Sequence, residues 1–202
     1  MAVSLRKGQG VSLRKEENDL SQITIGLGWD VAEEKRGFLG SLFGAKQEEY
    51  DLDAIAFLLG ANGKLPGSED VVFYNAQRHP SGALWLTGDN RTGAGDGDDE
   101  QIIVRLDQLP AKYERILFVV SIYEGKSKRQ DLGKVANAFI RAVDARNKEM
   151  VRFDISGDAS MGGRCSMTFA EVVREGGGWK FNAIGTPHET DRFVDVMRPY
   201  MS

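Results

Sequence analysis

The sequence has little cysteine and no long hydrophobic run. Its single cysteine, Cys165, excludes a disulfide framework and a cysteine-based zinc site, and it fits a reducing compartment. The longest apolar runs, residues 54–59 and 116–120, are far shorter than the roughly 20 residues that a membrane-spanning helix needs. The N-terminus shows no apolar stretch of signal-peptide length. We therefore expect a cytoplasmic protein without an integral membrane segment.

Positive charge is also not in excess. The net charge is −4, from 26 Lys and Arg against 30 Asp and Glu, so binding to nucleic acid is not expected. Residues 87–100, called here the acidic segment, hold five acidic residues and one arginine. The acidic residues are Asp89, Asp96, Asp98, Asp99 and Glu100. One short segment therefore carries an excess of negative charge equal to that of the whole chain.

Common catalytic motifs are missing. The two histidines, His79 and His188, each adjoin a proline and are expected in turns, and no G-x-S-x-G motif accompanies them. Residues 125–127 resemble the end of a phosphate loop, but Val120 stands where that loop needs a glycine. Cys165 lies in an expected strand as a small core residue. No enzymatic activity is predicted.

Period-two alternation and frequent turn signals predict a mainly β fold. The near repeat of residues 3–8 in residues 11–16 predicts an N-terminal β-hairpin. Residues 132–136 predict a helical turn followed by a second hairpin, and residues 176–178 predict a glycine turn within a third. With no linker to divide residues 1–202, we expect one domain: a β-sandwich of two sheets with about ten strands, a few short peripheral helices and a loop insertion at residues 37–49.

The acidic segment has the composition of a site for a hard cation. Its glycines let the backbone turn carbonyl oxygens inward, and Ca²⁺ takes about six to eight oxygen ligands. Besides carboxylates, the segment offers the amide oxygen of Asn90 and the hydroxyl of Thr92. Residues 89–100 have the length of a twelve-residue EF-hand loop, but Arg91 and Ala94 occupy the third and sixth of these positions, so it is not an EF-hand. We predict a calcium site of another type, with Mg²⁺ disfavoured because it retains more water ligands.

A second acidic pair supports this prediction. Asp51 and Asp53 are two residues apart, so on a strand they share one face while Leu52 faces the other. Two carboxylates that enter an apolar strand are costly without a counter-ion. Asp30 and Asn75 offer further oxygen donors at loop edges.

Several motifs match one known family in chain order. They are residues 11–13, 26–30, 51–54, 72–75, 88–100, 137–141 and 178–181. On these motifs the chain is identified as a member of the TerD-type family of tellurium-resistance and stress proteins. The resemblance covers nearly the whole chain, and the motif at residues 88–100 is the most specific part of it.

The resemblance implies a two-sheet β-sandwich that binds calcium at two neighbouring sites. The implied ligands are the side chains of Asp30, Asp51, Asp53, Asn75, Asp89, Asn90, Asp96, Asp98, Asp99 and Glu100, with backbone carbonyls near Gly93 and Gly95. The chain departs from the family pattern where Tyr123 and Glu124 replace a His-Asp pair, which makes Glu124 a longer candidate ligand. Trp85 stands where relatives often have histidine.

Three functions remain open at this stage. The resemblance implies a calcium-binding, non-enzymatic module of a bacterial tellurite-resistance or stress-response complex, acting with protein partners that are cytoplasmic or membrane-associated. The alternative is a C2-like module that binds membrane surfaces with calcium, for which Phe38 and Phe43 would supply apolar contacts. The third is a metal-dependent enzyme, which needs a general base beside an open coordination position.

Overall fold

Two six-stranded sheets pack face to face as a β-sandwich. The computed structural model describes residues 2–31, 50–87, 97–155 and 157–201. In spatial order, the first sheet consists of β1 (Val3–Leu5), β10 (Glu149–Asp154), β9 (Val135–Val143), β3 (Ile23–Val31), β7 (Glu100–Val104) and β6 (Leu84–Thr87). The second sheet consists of β2 (Gly10–Leu13), β12 (Gly178–His188), β11 (Ser166–Glu175), β8 (Arg115–Ile122), β4 (Leu52–Leu59) and β5 (Val71–Val72).

The predicted sandwich is confirmed, with twelve strands in the described ranges instead of about ten. Its helices are short: α1 (Gly125–Lys128), α2 (Phe193–Met197) and a few 3₁₀ turns, one of them at Leu132–Lys134. None of the described helices is long and apolar enough to cross a bilayer. The insertion predicted at residues 37–49 lies outside the described residues.

The core lies between the sheets and follows the period of two. From β3, Ile25 and Leu27 point inward, and from β4, Ala56 and Leu58 belong to the same buried cluster. The other face of β4 is also buried, because Phe57 and its neighbours pack beneath α2 in a second apolar cluster. Burial on both faces explains why β4 reads as a continuous apolar run in the sequence.

Two of the three predicted hairpins are confirmed. Strands β9 and β10 pair antiparallel after the 3₁₀ turn, and β11 pairs antiparallel with β12 across the glycine turn. Cys165 is buried as expected, one residue before β11 begins. His188 does not lie in a turn as predicted; it is the last residue of β12, because the β11–β12 ladder continues to pair it with Ser166.

The predicted N-terminal hairpin is wrong. Strand β1 pairs in parallel with β10 in the first sheet, whereas β2 pairs antiparallel with β12 in the second. Alternation indicates that a segment is a strand, but it carries no information about which edge that strand joins. The turn between them crosses from sheet to sheet at Gly8, whose φ of 81° suits glycine and whose N–H donates to the Ala183 carbonyl at 2.8 Å. Leu5 and Leu13 thus enter one core from two sheets.

Candidate metal centre

Among the described residues, several of the predicted ligands lie at one end of the sandwich. Asp30 is the penultimate residue of β3, and β7 begins at the same end with Glu100, because the two strands are antiparallel with Leu27 opposite Glu100. From the second sheet, β4 begins there after Asp51, and the backbone N–H of Tyr123 donates to the Asp51 carbonyl at 2.8 Å. We call this the acidic end.

Asp99 and Glu100 are buried and bound to main-chain groups. Asp99, 9% exposed, accepts a hydrogen bond from the Trp29 backbone N–H at 2.9 Å. Glu100, 3% exposed, accepts one from the Ala54 backbone N–H in the facing sheet. The indole N–H of Trp29 donates to the Tyr50 carbonyl at 3.3 Å. These bonds join the ends of β3, β4 and β7, which fixes the C-terminal end of the acidic segment to both sheets.

Asp98 lies on the outer face of the first sheet. Its Oδ1 accepts from Arg141 Nε at 2.7 Å, and its Oδ2 accepts from Gln101 Nε2 at 3.2 Å. A Cβ at Gly26 would meet the Asp98 carboxylate at 2.2 Å, so the glycine provides the space that this carboxylate fills. The hydrogen bonds that Arg141 donates to Asp98 and Glu149 raise its pKa against the opposing effect of burial.

Asp30 is exposed and accepts a hydrogen bond from Asn137 Nδ2 at 2.7 Å. Asn137 has a φ of 49°, a left-handed conformation that asparagine tolerates better than most residues. Asn75 is exposed in the tight turn bridged by Phe73 and Ala76. The structure shows no contact between Asn75 and the carboxylates of the described residues.

Asp51 and Asp53 are half-buried at the start of β4, and Leu52 between them faces the core as predicted. Burial, and after it the charge of Asp53, raises the pKa of Tyr74. The Tyr74 ring meets the ring of Tyr123 edge-on with centroids 6.1 Å apart. Glu124 follows with a φ of 56° and is exposed.

The described carboxylates do not complete a metal site by themselves. No group of three or more His, Cys, Asp or Glu side chains in the described ranges is placed to hold a metal ion. The predicted ligands Asp89, Asn90, Gly93, Gly95 and Asp96 lie outside those ranges. The donor chemistry fits a hard cation, since Asp51 and Asp53 are oxygen donors at the end where both termini of residues 88–96 attach.

A buried polar cluster was missed by the sequence analysis. Asp70 Oδ1 accepts from the Tyr113 hydroxyl and from His79 Nε2 at 3.0 Å, and all three side chains are buried. His79 Nδ1 accepts from the Ser81 backbone N–H at 3.1 Å, so its proton is on Nε2. No sequence motif joins these residues, because the ring hydroxyl comes from a distant part of the chain.

In the same cluster, Ser81 Oγ lies 2.7 Å from His79 Nδ1. The order serine, histidine, aspartate resembles a hydrolase triad. Ser81 Oγ also accepts from the Ala83 backbone N–H at 3.2 Å. This hydroxyl therefore bridges the imidazole and the backbone of its own turn. The arrangement serves to close the turn before β6.

The fold and the acidic end define a class: a two-sheet β-sandwich whose carboxylates collect at the end where a glycine-rich acidic segment joins two strands. The chain belongs to the TerD domain family, which matches residues 1–200. This is a family of tellurium-resistance and stress-response proteins.

The chain is similar to named bacterial proteins over its whole length. It is 60% identical to tellurium resistance protein TerX of Serratia marcescens, and 38% identical to stress response protein SCP2 of Bacillus subtilis, with 100% of each chain covered in both comparisons. A crystal structure of a Streptomyces coelicolor homologue of telluride resistance protein has the same fold, with a TM-score of 0.62 at 22% identity. That match covers 86% of this chain and 94% of the other.

Proposed function

We propose that this protein is a cytoplasmic, calcium-binding, non-enzymatic module of a bacterial tellurite-resistance or stress-response system, and that it acts through protein partners. One observation supports this most: carboxylates from both sheets are placed at the end of the sandwich where the acidic segment attaches. Like charges in such a position require solvent or a cation between them. Calcium supplies that charge and is suited to many oxygen ligands at once.

The acidic side chains have two roles in this proposal. Asp51 and Asp53 are direct ligands, and residues 88–96 supply the remaining oxygens of two neighbouring sites, with Glu124 at the rim. Asp99 and Glu100 instead hold the segment in position, because each accepts a backbone N–H from a different sheet. Bound calcium would order the acidic segment, and the ordered surface would then bind a partner.

Calorimetry on chelator-stripped protein tests the proposal. We expect saturable calcium binding, and a melting temperature raised by about 5–10 °C at a hundredfold excess over the dissociation constant. Magnesium should give a smaller shift. Asp51→Asn with Asp53→Asn should weaken calcium binding at least tenfold, since both proposed direct carboxylates are removed.

The matched control is Asp107→Asn, which removes an exposed carboxylate from the loop after β7, away from the acidic end. This variant should bind calcium like the wild type. Absence of both heat and a melting shift in the wild-type protein would contradict the proposal. Equal loss of affinity in the control would show that general negative charge, not a site, attracts the ion.

The membrane-surface alternative is favoured by one described feature, the 41% exposed Tyr123 beside the carboxylates. Its predicted apolar residues, Phe38 and Phe43, lie outside the described residues. Flotation with phosphatidylserine vesicles separates the two functions. Calcium-dependent flotation that Tyr123→Ser abolishes would favour the membrane module, whereas protein that stays at the bottom with calcium bound favours the partner module.

A further inference from the structure

An indole lies between two arginines at the outer edge of the first sheet. Trp85 of β6 has the Arg78 guanidinium carbon 4.9 Å from its ring centroid and that of Arg105 at 5.1 Å. On one edge of β6, Arg78 forms an isolated antiparallel β-bridge with Trp85. On the other edge β6 pairs with β7, and Arg105 is the residue directly after β7. The two cations therefore approach the ring from opposite edges of one strand. We call these three residues the arginine–tryptophan clamp.

The clamp leaves its hydrogen-bond donors available. Within the described ranges, the side chains of Arg78 and Arg105 form no ion pair with any carboxylate. A guanidinium stacked on an aromatic ring keeps its in-plane N–H groups free, and the stacking reduces the entropy lost when a ligand binds. A planar carboxylate is the group that such a donor edge fits.

Other arginines on the same outer face already have carboxylate partners. Arg152 lies 3.7 Å over the Phe139 ring and pairs with Asp154 at 2.9 Å. Arg141 pairs with Asp98 and with Glu149 at 3.0 Å. Arg78 and Arg105 therefore stack on an aromatic ring as Arg152 does. Unlike Arg152, they have no carboxylate partner among the described residues.

We propose that the arginine–tryptophan clamp binds an acidic segment of a protein partner, through one carboxylate on each guanidinium. A short acidic peptide needs only the two donor edges of the clamp, whereas binding of nucleic acid or an anionic membrane draws on an extended basic surface and is disfavoured by the net charge of −4. The inference names a partner surface for the proposed module and rests on that function, but the surface itself does not require calcium.

A hexaglutamate peptide is the probe, and tryptophan fluorescence is the readout. Trp29 and Trp179 are buried, whereas Trp85 is half-buried, so a peptide bound at the clamp should affect the fluorescence of Trp85 most. The wild-type protein should show a saturable fluorescence change that weakens as salt rises. Hexalysine, inorganic phosphate and phosphatidylserine vesicles are the comparison ligands and should give no saturable change.

Arg78→Gln and Arg105→Gln should each weaken peptide binding about tenfold, which is the loss expected for one charge-assisted contact. Arg152→Gln is the matched control, because it removes a stacked arginine that already has a partner. Its affinity should stay within about twofold of the wild type. Melting curves confirm that each variant is folded before it is titrated.

Three results would overturn the inference: no saturable change with hexaglutamate, equal loss in the Arg152→Gln control, or binding of phosphate or vesicles in preference to the peptide. Each titration is run in calcium and in EDTA. If peptide binding persists in EDTA while calorimetry detects no calcium, the clamp survives and the calcium function fails. If calcium binds and the peptide does not, only the clamp fails.

Discussion

At the scale of single residues, acidic side chains that are adjacent in the sequence accept hydrogen bonds from different donors and lie in different places. Glu100 and Asp99 are each bound to a backbone N–H at the end of the sandwich, while Asp98 is held by Arg141 on the outer face. The sequence identifies the acidic residues but not their donors, since those lie on strands far away in the chain. The predicted position of Asp51 and Asp53 at the start of a strand is confirmed. This position could be predicted because successive residues of a strand point to opposite faces.

The Asp70 cluster gives a prediction about pH. Burial alone would raise the pKa of Asp70, but hydrogen bonds from Tyr113 and His79 outweigh it and lower the pKa below 3.8. The ionised carboxyl therefore stabilises the fold above about pH 4, and this contribution is lost as pH falls through the lower folded pKa. Tyr113→Phe should reduce the free energy of unfolding by about 1–3 kcal/mol at pH 7.

Urea unfolding across pH 3–7 measures this effect. The difference between Tyr113→Phe and the wild type should shrink below about pH 4, where Asp70 becomes protonated in the unfolded chain and then in the folded one. Tyr200→Phe is a useful control, because that hydroxyl is not part of the cluster. A constant difference between Tyr113→Phe and the wild type at all pH values would mean that lost packing, not the carboxyl, causes it.

At the scale of elements, the glycines of β3 decide what packs on its outer face. A Cβ at Gly28 would lie 2.4 Å from the Phe139 ring and 2.8 Å from the Gly97 carbonyl oxygen. Such crowding moves the ring that carries Arg152. Gly28→Ala should lower the free energy of unfolding by about 1–3 kcal/mol.

A glycine with open surroundings provides the comparison. A Cβ at Gly178 in β12 would have its nearest neighbour at 3.8 Å, an ordinary contact. Gly178→Ala should be neutral or slightly stabilising in the same chemical unfolding experiment. If both alanine variants unfold alike, the close approach to Phe139 has no energetic consequence.

Element types were easier to predict than their partners. The β11 and β12 pairing follows from two alternating runs with glycines between them, which is local information. The two copies at residues 3–8 and 11–16 carry the same kind of pattern, yet each pairs with a strand more than a hundred residues away. The local sequence indicates which side chains of a strand are buried. It does not indicate the pairing partner, which depends on which strand edges of the sheets are still unpaired.

At the scale of the whole molecule, the N-terminal residues fasten the two sheets to each other. Leu5 from β1 and Leu13 from β2 are buried in the same core, although they belong to different sheets. Leu5→Ala should cost about 2–4 kcal/mol, as is usual for a buried leucine. Val3→Ala on the same strand removes a 42% exposed side chain and should cost much less.

Chemical denaturation compares these two variants, and a second probe tests whether the sheets separate. Tryptophan fluorescence, to which the buried Trp179 opposite Leu13 contributes, and far-ultraviolet circular dichroism should report a single transition in both proteins. If the transitions of Leu5→Ala come apart, the sheets have independent stability. If Leu5→Ala and Val3→Ala unfold at the same denaturant concentration, β1 contributes little to the core.

The crossing of β1 and β2 also sets an order of assembly. On the ribosome both strands are made long before β10 and β12, to which they pair, so their edges stay unsatisfied while most of the protein is synthesised. Strands β1 and β2 thus pair only after most of the other strands in the described ranges have been made. Until residue 149 is synthesised neither partner edge exists, so β1 and β2 would stay exposed to chaperones and proteases.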